Sequence, residues 1–119
     1  MVAPAFIGEP SFMAKQDGLL DKDEKVKLLR AFAFQVHRKL PLDEVVMEHV
    51  EQELQRGRRR EYRPVAEAIN ADGPAAAMKA LSLVDDQAAA ILTVVTEQAK
   101  DHRLLSDILE KLADFWAET

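Results

Sequence analysis

AKDHRLLSDILEKLADFW, Ala99 to Trp116, sets Leu105, Ile108, Leu109, Leu112 and Trp116 three and four positions apart. That spacing aligns side chains along one face of an α-helix. Asp107, Glu110, Lys111 and Asp114 fall between them and belong to the solvated side. Just upstream, Ala88, Ile91, Leu92, Val95 and Ala99 repeat the period, so a second helix with its own inward stripe is expected. Ser82 followed by Asp85 reads as a variant of the capping box, and Asp85 with Asp86 places negative charge at the positive end of that helix.

Further outward the same reading continues. Asp72, Gly73 and Pro74 interrupt one helix and restart a short alanine-rich one. Tyr62, Val65, Ala66 and Ile69 give a stripe before that break, and Leu42, Val45, Val46, His49, Val50 and Leu54 give another, ending around Gly57. Pro41 fits the first turn of this helix, where a missing N–H costs nothing, and it pushes Leu40 out of helical geometry. Val26, Leu29, Phe32, Ala33, Val36 and Leu40 define a helix capped by Asp21 or Asp23 and running to about Lys39. Residues 1–20 mix Pro4, Gly8, Pro10 and Gly18 with Phe6, Ile7, Phe12 and Met13. The breakers forbid one long helix there, so a short helix from Ser11, packed on the body or on a neighbouring subunit, is expected. The sequence therefore divides into an N-terminal apolar segment, residues 1–20, and an all-α bundle of five to six short helices over residues 21–119.

Composition agrees. The chain has 119 residues, 48% of them hydrophobic, with four glycines and five prolines. A chain of this size buries roughly two-thirds of its unfolded surface in one core. Cysteine is absent, which excludes disulfides, thiolate metal sites and thiol nucleophiles. The net charge of −5 opposes a global affinity for nucleic acid or anionic membrane. No apolar run approaches the roughly 20 residues that span a bilayer, and Met1 to Pro10 lacks the basic start of a secretory signal, so a cytoplasmic location without direct membrane insertion is expected.

Two stretches carry a family resemblance. Lys39, Leu40, Pro41, Leu42, Asp43, Glu44, Val45 and Val46 resemble the Leu-Pro-Leu corner and acidic-apolar helix that open the cytoplasmic domains of the type II secretion F family. Leu105 to Phe115 is similar to the leucine-rich helix with an Ala-Asp-aromatic finish that closes them, and Gly73 followed by alanines is similar to the glycine that opens a short small-residue helix in between. Ala99 and Lys100 stand where the family has Gly-Glu, and His102 and Arg103 where it has a small residue and a second Gly. The family forms the membrane platform of secretion and type IV pilus machines and works by gripping other proteins. The resemblance implies a helical bundle, a secretion or pilus component as partner, and a position peripheral to the inner membrane.

Chemistry is sparse. His37, His49 and His102 form no pair at metal-ligand spacing, and His49 lies on an apolar stripe near Glu48 and Glu53, where a hydrogen-bonded boundary histidine is expected. The acidic residues read as solvated helix faces, the serines lack a nucleophile-elbow signature, and glycine-rich phosphate loops are absent. Neither an enzyme nor a cofactor or metal site is expected. Arg56, Arg58, Arg59, Arg60 and Arg63, with Tyr62 among them, form the sharpest charged feature. They could bind single-stranded nucleic acid, with Tyr62 stacked on a base, or they could complement a helix end and pair with the surplus carboxylates. Phe34, Met47, Phe115 and the N-terminal Phe6, Ile7 and Phe12 fall off the main stripes and are the expected surface for a dimer or partner groove. The leading expectation is a noncatalytic protein-protein interaction or assembly domain that self-associates or serves as adaptor. The alternative is a nucleic-acid-binding helical module.

Overall fold

A computed structural model describes residues 19–99 and 101–118, and every described regular element is helical. Helix α1, Lys22–His37, opens on a reciprocal cap: Asp21 Oδ1 accepts from the Glu24 amide at 2.8 Å, and Glu24 Oε1 accepts from the Asp21 amide at 2.9 Å. It stops at His37, before Lys39 takes a positive φ of 75°. Helix α2, Leu42–Gln55, follows the corner; Pro41 occupies the cap position in extended geometry rather than the first helical turn. Helix α3, Arg59–Asp72, absorbs Pro64 and ends at Gly73, whose φ of 99° and ψ of −175° suit glycine alone. Helix α4, Pro74–Ala80, starts on a proline.

Helix α5, Asp86–Val94, is capped by Asp85 alone, its carboxylate accepting from the Ala88 amide at 2.8 Å. Ser82 is not part of that cap. It sits at φ 62° in the turn that finishes α4, where the Ser82 and Leu83 amides donate to the Lys79 and Met78 carbonyls. A π-helical turn, Val95–Ala99, extends α5. Helix α6, His102–Glu118, begins after Asp101, whose Oδ1 accepts from the amides of Arg103 and Leu104. His102 therefore starts a helix.

Helices α1 and α6 form the main seam and run antiparallel. Lys25 meets Trp116, Arg30 pairs with Glu110 and Asp114 at 2.7 and 3.0 Å, and Ser106 Oγ donates to the Ala33 carbonyl at 3.0 Å. The core joins Leu29, Phe32, Val36 and Leu109 across this seam to Val46, Val50, Tyr62, Met78, Leu81 and Leu92 from the other helices. Leu42, Val45 and Val65 complete it as the stripes predict, whereas Leu40 is left exposed beyond the end of α1. No helix among the described residues is long and apolar enough to cross a membrane.

Candidate docking groove

Helix α6 carries more apolar residues than one seam can cover. Leu105, Leu109 and Ala113 face α1 and are buried, while Ile108, Leu112 and Phe115 lie about a third of a turn further round. Helix α5 divides in the same way: Leu92 points into the core and Ile91 does not. Direct contact between α5 and α6 is slight, so the two outward stripes face one another across a gap. The result is a groove of about 620 Å³, walled by Val84, Ala88 and Ile91 on one side and Ile108, Leu112 and Phe115 on the other. Trp116 and Leu83 close one end, where the indole Nε1 donates to the Leu83 carbonyl at 3.0 Å. Asp85 and Lys111 are the charged groups in its lining. Ile91 is 49% exposed and Phe115 60% exposed. Ile91, half-exposed beside a concave apolar surface, makes this groove a candidate docking site.

The stripe reading assigned Ile91 to the core. The period was right, but α5 and α6 make little direct contact, and Ile91 stays half-exposed. Of the residues singled out from sequence as a partner surface, Phe115 lines this groove, its ring edge-on to Trp116 with centroids 5.4 Å apart. Phe34 is exposed on α1 beneath the Arg38 guanidinium, 5.6 Å from the ring centroid. It lies nine residues beyond Lys25, roughly 13 Å along the helix from the Trp116 end. Met47 is half-buried in a separate depression shared with Gln35, Leu40, Glu44 and Glu48. These three do not form one surface. Phe6, Ile7 and Phe12 lie outside the described residues.

The arginine segment is divided by its corner. Glu53 is buried on α2, and its carboxylate is held by Arg56 Nη1 at 3.1 Å and Arg58 Nε at 3.4 Å. Those two cations therefore brace the turn between α2 and α3. Arg59, Arg60 and Arg63 remain exposed and make no ion pair with the described residues. Arg59 and Arg60 occupy the first turn of α3, the positive end of its dipole; of the five, Arg56 at the end of α2 is the one placed to complement a negative end. Tyr62 cannot offer a stacking face, because its side chain is fully buried.

Tyr62 Oη instead shares a 2.9 Å hydrogen bond with His49 Nε2, and the imidazole packs edge-on against the rings of Phe32 and Tyr62. Burial pushes the His49 pKa down, with the nearby Glu53 carboxylate opposing and Arg56 and Arg58 reinforcing the shift. Burial, aided by Glu53, raises the Tyr62 phenol to about 12. The pair is the hydrogen-bonded boundary histidine that the stripe predicts. No group of three or more histidine, aspartate or glutamate side chains among the described residues is arranged to hold a metal ion. Comparison of the chain with known protein families, with curated proteins and with solved structures finds no match in any of the three.

Proposed function

We propose that the protein is a noncatalytic assembly domain that grips a protein partner by burying apolar surface in the α5–α6 groove. The observation that carries this reading is the apolar lining of the groove, with Ile91 half-exposed on one wall and Ile108 and Leu112 on the other. A groove between helices fits an amphipathic helix, whose stripe would enter as anchors three and four residues apart. The resemblance of Leu40 to Val46 and of Leu105 to Phe115 to the secretion F family gives the partner class: a helical segment of a secretion or pilus component, held on the cytoplasmic side of the inner membrane. Self-association through the same groove is the homodimeric form of this reading.

The test places a photo-crosslinking side chain at position 91 in cells, with position 67 on the exposed side of α3 as control, and identifies the captured protein by mass spectrometry. The reading expects one protein joined at 91 and not at 67, and at least a tenfold loss of its co-purification with Ile91→Lys. The same captures at both positions, or co-purification that ignores Ile91→Lys, would overturn it. A partner lost instead with Arg59→Gln, Arg60→Gln and Arg63→Gln together, and with rising salt, would assign the activity to phosphate contacts.

A further inference from the structure

Helices α2 and α3 form an antiparallel hairpin: Arg58 holds Glu53, Tyr62 bonds His49, and Ile69 shares the lining of one depression with Val45. The two ends of this hairpin carry opposite charge. Near the turn, Arg59, Arg60 and Arg63 stand exposed, with Glu61 offsetting one of them. Away from the turn, Asp43, Glu44, Glu48 and Glu51 line the depression, of about 650 Å³, around Leu40 and Met47, and no basic side chain lines it. Neither these three arginines nor these four carboxylates form an ion pair with the described residues.

Neither end is arranged to benefit its own helix. Glu44 and Glu48 are four apart and Glu48 and Glu51 three, so like charges stack along one stripe of α2; Arg59, Arg60 and Arg63 repeat the pattern on α3. Arg59 and Arg60 also meet the positive end of the α3 dipole. Opposite charge from another molecule relieves both stripes. A polyanion laid on the arginines would run on into the acids, because Ile69 in the depression is only six residues from Arg63, roughly 9 Å along α3. A second copy turned about a two-fold axis answers both ends at once: its turn lies over the acidic depression, and its own depression receives the first copy's turn. We propose that the outer face of the α2–α3 hairpin pairs with the same face of a second copy, the arginines of each seated in the acidic depression of the other. Arginine suits that seat, since its stem can cover Met47 and Leu40, which is 43% exposed, while the guanidinium makes forked bonds to the carboxylates. Each helix has 14 residues and is roughly 21 Å long, so the shared face is small and the pairing depends on concentration. This inference does not rest on the α5–α6 groove, with which the hairpin depression shares no lining residue.

Sedimentation velocity of the 119-residue chain over a dilution series, at low and high salt, is the first measurement. The sedimentation coefficient is expected to climb toward that of a dimer with concentration, and to climb less at high salt, where the charges are screened. Two charge-reversed chains supply the second: Arg59→Glu with Arg60→Glu and Arg63→Glu, and Glu44→Lys with Glu48→Lys and Glu51→Lys. All six side chains are exposed, and far-ultraviolet circular dichroism checks that both chains keep their helices. Each alone is expected to associate at least tenfold more weakly than the natural chain, and an equimolar mixture of the two to associate at least as tightly. A natural chain that stays monomeric throughout the low-salt series overturns the proposal, as does a mixture of folded reversed chains that stays monomeric. Self-association that strengthens with salt, or that Ile91→Lys abolishes, also overturns it and assigns the contact to the groove. Single-stranded RNA bound by a monomeric natural chain, and lost with the arginine reversals, overturns it in favour of phosphate contacts.

Discussion

His49 and Tyr62 couple folding to pH from both sides. The folded state holds the His49 pKa below its ordinary value, so as pH falls through about 6.5 the unfolded chain takes up a proton that the folded chain refuses. The contribution of His49 is fully present above that point and declines below it. Tyr62 works in the other direction. Its phenol stays protonated in the fold up to about 12, while the unfolded phenol ionises near 10, so its contribution is intact below pH 10 and is lost between the two values. Tyr62→Phe is expected to cost about 1 kcal/mol at neutral pH, the usual worth of one such hydrogen bond, and to flatten the alkaline loss. Urea melts at pH 7 and 11 check both. Glu53→Gln leaves Arg56 and Arg58 without their buried carboxylate and is expected to lower stability by about 1–3 kcal/mol. The melting temperature against salt reads it, because the loss shrinks as salt screens the exposed arginines.

Among the elements, helix existence was legible because apolar spacing, capping residues and breakers agreed. Asp21, Asp85, Gly73 and Pro74 all act at helix boundaries in the way their chemistry dictates. Ser82 misleads because its hydroxyl suits a cap, but the carboxylate three residues on takes that role and Ser82 is left to close α4. Periodicity reports which way a side chain faces, not whether a second helix is there to meet it. That is why Ile91 reads as core yet stands half-exposed on the wall of an open groove, whereas Ile108 and Leu112 line that groove while packing against the core as the stripe predicts. Likewise the five arginines read as one patch until the corner folds, when a buried glutamate two residues before the end of α2 takes two of them. Gly73→Ala tests a boundary directly. No atom lies within 4 Å of an added Cβ, so the cost is purely that of the left-handed backbone, about 1–3 kcal/mol by chemical denaturation.

At the scale of the molecule, one antiparallel pair, α1 and α6, is the largest single seam, and the remaining helices join it in one core. Leu109→Ala strikes this seam, where the side chain has no solvent exposure, and is expected to cost about 2–5 kcal/mol in an equilibrium melt. Ile91→Lys changes a half-exposed side chain on the far wall and is expected to leave stability within about 0.5 kcal/mol. The separation of those two effects is what makes binding testable apart from folding. The deciding measurement is a titration of the purified 119-residue chain with the partner captured at position 91, followed through the emission of Trp116 in the groove. A saturable blue shift is expected, with affinity at least tenfold weaker in Ile91→Lys at an unchanged melting temperature. Equal affinity in the two chains, or a Trp116 emission that never moves as partner binds, would contradict the account.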